Sequence, residues 1–259
     1  MLVTALLLAG RRPGVDPLAA HFNVADKVLI PVAGEPMLSR AARALVEHPA
    51  IGKVLILSQA GEALSAHEAT GWLAHHPKVG FETGGASVSG AISEAIGRNN
   101  NGFPFLVATA DDALLDRAKL DAFIAEARGA DLAVALVERR TLLSAYPDSR
   151  RTWLKFRGGA YSGANLFWLG SDKVLPVISI WQGIEQQRKK GRAVIGAFGP
   201  LMLIAVALRL LTLRQAVARV GRRFGLIARP VALPMAEACI DVDKPDDHAL
   251  VEKILANRA

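Results

Sequence analysis

Short apolar runs alternate with helical patterns over the first half of the chain, and this alternation limits the fold more than any other feature. Apolar runs of strand length cover Val3–Leu8, Val54–Leu57, Val79–Glu82, Phe105–Ala108 and Leu132–Val137. Helical patterns lie between them over Met37–Glu47, Glu62–Ala74, Ser87–Ile96 and Ala118–Arg128. Strands and helices that alternate at this spacing predict a doubly wound, mostly parallel sheet of the α/β class.

The second half of the chain departs from this regular alternation. Two strand-like runs, Trp153–Phe156 and Ala160–Trp168, flank a pair of glycines. Residues 172–230 are mostly helical, apolar and basic, and Met235–Val242 is typical of a last strand before a closing helix over Asp246–Asn257. A chain of 259 residues with 51% hydrophobic content can bury one large core. We therefore expect a single domain over residues 1–259, with 172–230 as a helical, basic subdomain inserted before the last strand.

Two loops near the N-terminus have the composition of a phosphate-binding site. The first follows the strand Val3–Leu8 and contains Leu8-Ala9-Gly10-Arg11-Arg12-Pro13-Gly14. A glycine-bearing loop at the carboxyl end of a strand exposes backbone N–H groups to an anion. The second loop contains Lys27, followed by the stiff segment Pro31-Val32-Ala33-Gly34-Glu35-Pro36. A lysine beside such a loop supplies a point charge for a phosphate.

Two acidic clusters lie far apart in the sequence. Asp111 and Asp112 follow the buried strand Phe105–Ala108, and Asp241 and Asp243 lie at the end of Met235–Val242. If residues 235–242 form a strand, Asp241 and Asp243 lie on the same side of it, because side chains alternate between the two sides of a strand. Mg²⁺ prefers oxygen ligands and takes one or two carboxylates together with substrate phosphates. Helix capping is the alternative explanation for one of Asp111 and Asp112, and Asp112 is the weaker candidate of the two for a metal ligand. Capping also explains Asp246 or Asp247, but it does not account for Asp243.

The N-terminal loops resemble the signature of the molybdopterin-guanylyltransferase-like superfamily of nucleotidyltransferases, which adopt a GT-A-like fold. That signature runs Leu-Ala-Gly-Gly-x-x-x-Arg-Met-Gly, then Lys-x-Leu-x-x-x-Gly-x-Pro-Leu. The stretch from Lys27 to Leu38 follows the second half, whereas Arg11 replaces one glycine of the first half. The resemblance implies that Gly10 and Lys27 contact nucleotide phosphates, and that Asp111 and Asp243 together bind Mg²⁺. Lys27, Asp111 and Asp243 are then the catalytic residues.

The same resemblance assigns two further segments. Gly84-Gly85-Ala86-Ser87-Val88 is similar to a turn that contacts the base in related cytidylyltransferases, and this similarity favours CTP while GTP stays open. A plain helix-entry turn explains these residues equally well. Ser162, Gly163 and Asn165 resemble the stretch that holds the acceptor in sugar-phosphate nucleotidyltransferases. Because Gly10, Gly84, Gly85 and Asp111 all follow strands, we expect them to share the carboxyl edge of the sheet, where ligands bind in such folds.

The positive charge of the chain is concentrated in one segment. Between residues 188 and 230 there are ten lysines and arginines and no acidic residue, although the whole chain has a net charge of only +7. The apolar stretch 193–208 is shorter than a membrane span and contains glycine and proline. This segment would be a buried helical pair with a basic edge, an acceptor-binding subdomain, or a peripheral contact with an anionic membrane through residues 188–230. Nucleic acid is disfavoured because aromatic residues are few and no recognition motif is present.

These features together predict an Mg²⁺-dependent nucleotidyltransferase. It would move a nucleoside monophosphate group from a nucleoside triphosphate to a phosphorylated small-molecule or lipid-linked acceptor. The alternatives are a GT-A-type glycosyltransferase, with Asp111 and Asp112 as its metal motif, and a non-catalytic nucleotide-binding or membrane-associated scaffold, suggested by the altered glycine loop. The single cysteine, Cys239, and the lack of a signal-peptide pattern favour a cytoplasmic protein, peripheral at the inner membrane surface if the basic segment binds lipid.

Overall fold

The computed structural model describes residues 2–11, 14–85, 87–100, 102–186 and 199–258, and the fold is given for these. The strands are β1 (Val3–Leu8), β2 (Pro31–Val32), β3 (Glu35–Pro36), β4 (Ile51–Ser58), β5 (Val79–Thr83), β6 (Phe105–Thr109), β7 (Leu132–Glu138), β8 (Leu154–Phe156), β9 (Gly159–Leu169) and β10 (Ala228–Ala232). The helices are α1 (Pro17–His21), α2 (Met37–Glu47), α3 (Gly61–Ala66), α4 (Trp72–His75), α5 (Val88–Arg98), α6 (Arg117–Ala127), α7 (Arg139–Ala145), α8 (Leu175–Gln186), α9 (Pro200–Ala207), α10 (Leu213–Arg223) and α11 (Pro245–Ala256).

A mostly parallel sheet forms the centre of the protein, as the sequence predicts. Its strand order is β10-β7-β9-β6-β1-β4-β5, and β8 pairs with β9 outside this path. Among the described strands of this sheet, β9 runs in the reverse direction and pairs antiparallel with β6, β7 and β8, whereas the other pairs are parallel. The confirmed fold is therefore an α/β sheet with helices on both faces.

The sheet is buried on both faces, which explains why its central strands are continuous apolar runs. Along β1, Val3, Ala5 and Leu7 contribute to one core together with residues of α2 and α6. Leu6 points to the opposite face and packs with residues of α5 and α8. Each fully buried leucine stabilises the fold by about 1.5–3 kcal/mol relative to an exposed one.

One strand prediction is wrong. Met235–Val242 does not form a strand, because Ala236–Cys239 is a 3₁₀ helix. The last strand is instead β10, which pairs with β7 at the edge of the sheet and lies at the end of the segment 172–230. Its Pro230 cannot donate to a strand ladder, and an edge strand tolerates this.

The prediction of one helix over Glu62–Ala74 is wrong too, because this stretch forms two separate helices, α3 and α4. The hydroxyl of Thr70 donates to the carbonyl oxygen of Leu64 at 2.5 Å, and the chain turns between them. The stretch around Gly71 packs so closely that a side chain there would approach the carbonyl oxygen of His67. None of the described helices is both long enough and apolar enough to cross a bilayer.

The carboxyl edge of the sheet carries the predicted site residues. Gly10 follows β1, Gly84 follows β5 and Asp111 follows β6, and these strands run in the same direction. Strands β1 and β6 lie side by side, so their loops meet at one edge. The expectation that these residues share one rim is confirmed.

Candidate active site

A short 3₁₀ helix positions Lys27 at the carboxyl edge. It covers Lys27–Leu29, and the side chain of Asp26 accepts the N–H of Val28 as its N-cap. Val28 and Leu29 are buried in the core and anchor this turn. The hairpin β2–β3 follows, with Ala33 and Gly34 both at positive φ in its turn, which explains the glycine in this part of the sequence.

The structure brings Lys27, Asp111 and Asp243 together. The ammonium Nζ of Lys27 donates to Oδ2 of Asp111 at 2.9 Å and to Oδ1 of Asp243 at 2.6 Å. These residues are 84 and 216 positions apart from the lysine. Two aspartates that the sequence places in separate clusters therefore flank a single cation.

Backbone contacts hold both aspartates in place. The N–H of Val242 donates to the carbonyl oxygen of Asp111 at 3.1 Å, which ties the two acidic segments together. The N–H of Asp243 donates to Oδ2 of Asp247 at 3.3 Å. The side chain of Asp243 is 62% exposed, so its carboxylate faces solvent at the edge of the sheet.

Electrostatics keep Lys27 charged. Its burial disfavours the charged form, but the charge of Asp111 and the hydrogen bonds to both aspartates outweigh that effect and raise the pKa of Lys27. The lysine is therefore a fixed cation at neutral pH. Lys27 and its two carboxylates together carry a net negative charge, so a polyphosphate would bind here only together with a divalent cation held by the carboxylates.

Asp112 points away from this cluster. It is buried, and its Oδ1 lies 3.4 Å from Nζ of the buried Lys119. Burial raises the pKa of Asp112 to about 6, and the charge of Lys119 opposes the rise. The two neighbouring aspartates therefore have different environments, one at the solvent edge and one in the core.

The donors of a metal site are present in part. One oxygen of Asp111, Oδ1, is buried and has no hydrogen-bond partner within the described residues. Asp243 offers a second, exposed carboxylate on the other side of Lys27. Two carboxylates at a substrate-facing edge fit Mg²⁺, which completes its coordination with water and substrate phosphates. The described residues contain no cluster of three or more His, Cys, Asp or Glu side chains able to hold a metal without substrate.

The glycine loop after β1 is tied to the glycine turn after β5 by a residue that the sequence does not single out, Gln59. Its Oε1 accepts the N–H of Arg11 at 3.1 Å, and its Nε2 donates to the carbonyl oxygen of Gly85 at 2.9 Å. Gly10 and Gly84 both pack against the amide of Gln59, where a Cβ would lie 3.2–3.3 Å from it. No local pattern marks Gln59, although its place directly after β4 could have suggested an edge position.

The predicted backbone donors of this loop are only partly available to a ligand. The N–H of Ala9 donates to the carbonyl oxygen of Leu57, and the carbonyl oxygen of Leu8 accepts from Ala110. Within the described residues, the N–H groups of Gly10 and Gly14 make no hydrogen bond. Gly14 has a positive φ of 99°. Arg12 lies outside the described residues, so its predicted contact with phosphate stays a prediction.

The turn Gly84-Gly85 leads into α5, and Ser87 caps this helix. The hydroxyl oxygen of Ser87 accepts the N–H of Gly90 at 3.1 Å. A Cβ on Gly85 would lie 2.8 Å from the backbone nitrogen of Ala91, so only glycine fits there without a shift. Helix entry explains the sequence pattern of this turn, and the same turn lies at the edge that carries Gly10.

The predicted acceptor residues lie on β9, at a bulge opposite β7. The register shifts between Val134 and Leu136, and Asn165 has a positive φ of 51° at this point. The Nδ2 of Asn165 donates to Oδ2 of Asp241 at 3.0 Å. Ser162 is buried, and Gly163 has open space where a Cβ would be.

A second residue that sequence reasoning missed, Arg151, holds the segment that carries Asp243. Its guanidinium donates to Oδ1 and to the carbonyl oxygen of Asp241, and its Nη2 lies 3.2 Å from Oδ1 of Asp247. Asp241 and Asp243 do not lie on a strand, so the alternation expected to put them on one side does not apply. Asp241 contacts Arg151 and Asn165, whereas Asp243 contacts Lys27. Burial, opposed by the charge of Arg151, raises the pKa of Asp241.

Comparison with known proteins decides the family. A family model described as the MobA-like NTP transferase domain matches residues 7–217 of the chain. The chain belongs to the MobA-like NTP transferase family. The match includes Lys27 and Asp111 but ends before Asp243. Family membership supports a nucleotidyltransferase.

Solved structures confirm the fold of this MobA-like protein. A hypothetical transferase from Thermus thermophilus has a TM-score of 0.76 and 24% identity, covering 96% of this chain and 100% of that chain. A CMP-2-keto-3-deoxy-manno-octonic acid synthetase complexed with CTP has a TM-score of 0.60 and 11% identity, covering 99% and 100%. The 2-C-methyl-D-erythritol 4-phosphate cytidylyltransferase of Thermus thermophilus has a TM-score of 0.53 and 13% identity, covering 99% and 100%. No curated protein sequence matches the chain significantly.

Proposed function

We propose that this protein transfers a nucleoside monophosphate group from a nucleoside triphosphate to a phosphorylated acceptor and releases pyrophosphate. The observation that carries the proposal is the contact of Lys27 with both Asp111 and Asp243. CTP is the favoured donor, because two of the similar structures are by name a CMP-sugar synthetase and a cytidylyltransferase. The turn Gly84-Gly85 with Ser87 also resembles the base-contacting turn of cytidylyltransferases. GTP is the second candidate.

The chemistry needs alignment and charge neutralisation more than it needs a base. An oxygen of the acceptor phosphate attacks the α-phosphorus and forms a new P–O bond, and the bond from the α-phosphorus to the bridging oxygen breaks. The electron pair leaves with pyrophosphate. Because the attacking phosphate is already an anion, no proton has to be removed. Lys27 would stabilise the charge that develops on the phosphates, and the N–H groups of Gly10 and Gly14 would orient them.

Mg²⁺ fits this site, with Asp111 and Asp243 as the protein ligands. When bound, the metal would neutralise the phosphates and polarise the reacting phosphorus. The orphaned Oδ1 of Asp111 supports this assignment, because a buried carboxylate oxygen without a partner costs free energy. Asp112 takes no part, because Lys119 already pairs with it.

The acceptor would lie along β9, where Ser162, Gly163 and Asn165 face the carboxyl edge. Asn165 already touches Asp241, which places this strand beside the segment that carries Asp243. Gly163 leaves room for a ligand to approach the backbone. Arg151 would act as a positioning residue that fixes the segment 241–247 and so the carboxylate of Asp243.

The test is thermal stabilisation by CTP, GTP, UTP and ATP, each with and without Mg²⁺. A ligand that binds only the native state increases the free energy of unfolding, by about 2.7 kcal/mol at a hundredfold excess over its dissociation constant. The melting temperature rises as a result. We expect a Mg²⁺-dependent shift for one triphosphate that disappears in Asp111→Asn. The matched control is Asp246→Asn, which changes an exposed aspartate of α11 and should keep the shift. A shift with nucleotide sugars alone would replace the proposal by the glycosyltransferase, and no shift with either kind of ligand would favour a membrane-associated scaffold that binds no nucleotide.

A second observation favours contact with an anionic membrane. Helix α9 has no buried residue, and Leu201, Ile204 and Leu208 are 82%, 53% and 64% exposed. Their spacing places them along one side of the helix. Arg219 and Arg223 of α10 line the same cavity as Leu201, so cationic side chains border the apolar stripe. This combination fits a surface of anionic lipid better than a second protein core.

Vesicle flotation tests the membrane proposal directly. The protein should float with vesicles of mixed phosphatidylcholine and phosphatidylglycerol at low salt and should not float with phosphatidylcholine alone. The double variant Leu201→Glu, Ile204→Glu should lose flotation. The control Leu2→Glu places a single glutamate on an exposed leucine that precedes β1 and should float normally. Equal flotation of both variants would show that α9 does not carry the contact.

A further inference from the structure

A basic cavity lies beside the hairpin β8–β9, outside the residues already assigned. Its volume is about 300 Å³, and its lining residues are Arg139, Lys155, Phe156, Gly159, Ala160 and Arg209. The three charged lining residues are all cations and come from three separate parts of the chain. Arg139 begins α7, Lys155 lies on β8, and Arg209 follows α9.

These three cations are not neutralised by the protein. Within the described residues, none of the three lies within ion-pair distance of a carboxylate. The adjacent Arg140 differs, because its Nε lies 4.0 Å from Oε1 of Glu138. Three converging cations without a counter-ion generate a strongly positive potential in a concave space, which attracts a multiply charged anion.

Arg209 occupies a backbone conformation that favours glycine. Arg209 has a positive φ of 55°, and it occupies the turn that ends α9. The N–H of Leu210 donates to the carbonyl oxygen of Ala205 at 2.8 Å, and the N–H of Arg209 donates to the carbonyl oxygen of Val206 at 2.9 Å. This is the helix-terminating turn in which glycine is strongly preferred, because other residues are strained there.

The cavity lies on the same edge of the sheet as the active site. Glu138, the last residue of β7, pairs with Tyr161 of β9, so the start of β9 lies at the carboxyl end of β7. From Ala160 to Asn165 is five residues along one strand, which spans about 17 Å. Asn165 contacts Asp241 beside the catalytic cluster. One extended molecule can therefore reach from the catalytic residues to this cavity.

We propose that Arg139, Lys155 and Arg209 bind a phosphate group of the acceptor that is distinct from the phosphate that attacks the triphosphate. Arginine and lysine side chains are the usual partners of phosphate oxygens, and arginine binds them in a bidentate manner. The half-buried ring of Phe156 forms an apolar wall for the part of the molecule that carries the phosphate. The acceptor is then an elongated molecule with two anionic ends. This assignment rests on the proposed nucleotidyl transfer, since it describes the acceptor of that reaction.

Titration calorimetry with inorganic phosphate and with sn-glycerol 3-phosphate tests the cavity. All proteins carry Lys27→Met, which weakens phosphate binding at the nucleotide site, and the difference between cavity variants then reports on the cavity. Arg209→Gly should raise the dissociation constant of both probes at least fivefold while leaving the melting temperature unchanged or higher, because glycine relieves the strained turn. Lys155→Gln should weaken binding similarly. Arg140→Ala, which removes an arginine outside the cavity, should change it less than twofold.

The outcomes separate this proposal from the proposed function. Equal affinities of Arg209→Gly and Arg140→Ala, or no binding of either probe, would overturn the phosphate site. Binding of inorganic phosphate without binding of sn-glycerol 3-phosphate would overturn the assignment to the acceptor, because an ester must fit beside Phe156. If no triphosphate stabilises the wild-type protein while both probes still bind through Arg209, the transfer reaction fails and the phosphate site stands.

Discussion

The carboxyl edge of the sheet and the helix pair α9–α10 are both rich in charge, but they hold it in opposite ways. At the edge, Lys27 and Arg151 each contact two carboxylates, and the strands beneath them are fully buried. Helix α9 has no buried residue, and the arginines of α10 lie on its exposed side or border a shallow cavity. Charged side chains that form ion pairs above a buried sheet hold fixed positions, as a catalytic site requires. Exposed charged side chains beside exposed apolar ones are typical of a surface that contacts a partner.

Deletion of one leucine side chain from each region should give the largest difference. Leu106 of β6 is fully buried, and Leu106→Ala should destabilise the protein by about 2–5 kcal/mol, through lost burial and the cavity left behind. Leu201→Ala should change the free energy of unfolding by less than about 0.5 kcal/mol, because this side chain is 82% exposed. Urea unfolding followed by circular dichroism measures both. A cost above about 1.5 kcal/mol for Leu201→Ala would show that α9 packs against the protein in solution.

Removal of one arginine from each region should give the next largest difference. Arg151→Ala leaves Asp241 and Asp247 without their cation in a largely buried place, and we expect a loss of about 2–4 kcal/mol in unfolding free energy. The Mg²⁺-dependent response to the triphosphate should also weaken, since Asp247 accepts the N–H of Asp243. Arg222→Ala removes an exposed arginine of α10 and should leave both quantities unchanged. A stable Arg151→Ala protein with a full nucleotide response would refute the positioning role.

The sequence predicts the edge of the sheet better than the helical region, for a physical reason. Central parallel strands are continuous apolar runs because they are buried on both faces, so β1, β4, β6 and β7 are recognisable by composition. The loops that follow them contain glycine, lysine and aspartate in positions that chemistry restricts. The family resemblance singles out Lys27, Asp111 and Asp243 within these loops, and each of them follows or precedes a recognisable element.

Edge elements and long-range partners cannot be predicted in the same way. Strand β10 contains arginine and proline and has no apolar run, whereas Met235–Val242 has the composition of a strand and folds as a 3₁₀ turn. Gln59 and Arg151 carry no motif, because their roles depend on residues 26 to 96 positions away. Asn165 is predicted to contact the acceptor, and its observed bond to Asp241 depends on a bulge that the sequence does not reveal.

Two glutamines give the finest comparison, because each supports a backbone N–H in a different region. Gln59 accepts the N–H of Arg11 in the glycine loop after β1, and Gln215 accepts the N–H of Thr212 in the capping box of α10. Gln59→Ala should raise the KM for the triphosphate about fivefold, because the hydrogen bond that Gln59 makes to the glycine loop contributes about 1 kcal/mol. The melting temperature should change little, because Gln59 lies at the exposed edge.

Gln215→Ala should give the reverse pattern. It removes one half of the capping box and should destabilise α10 by about 1 kcal/mol while leaving the KM for the triphosphate unchanged. Pyrophosphate release assays and thermal unfolding on both variants measure the two quantities. If Gln59→Ala instead lowers stability and leaves KM intact, the glycine loop is rigid without its glutamine and the amides of Gly10 and Gly14 do not depend on it. Because the two variants remove the same side chain, the contrast separates a contact that orients substrate from one that only folds a helix.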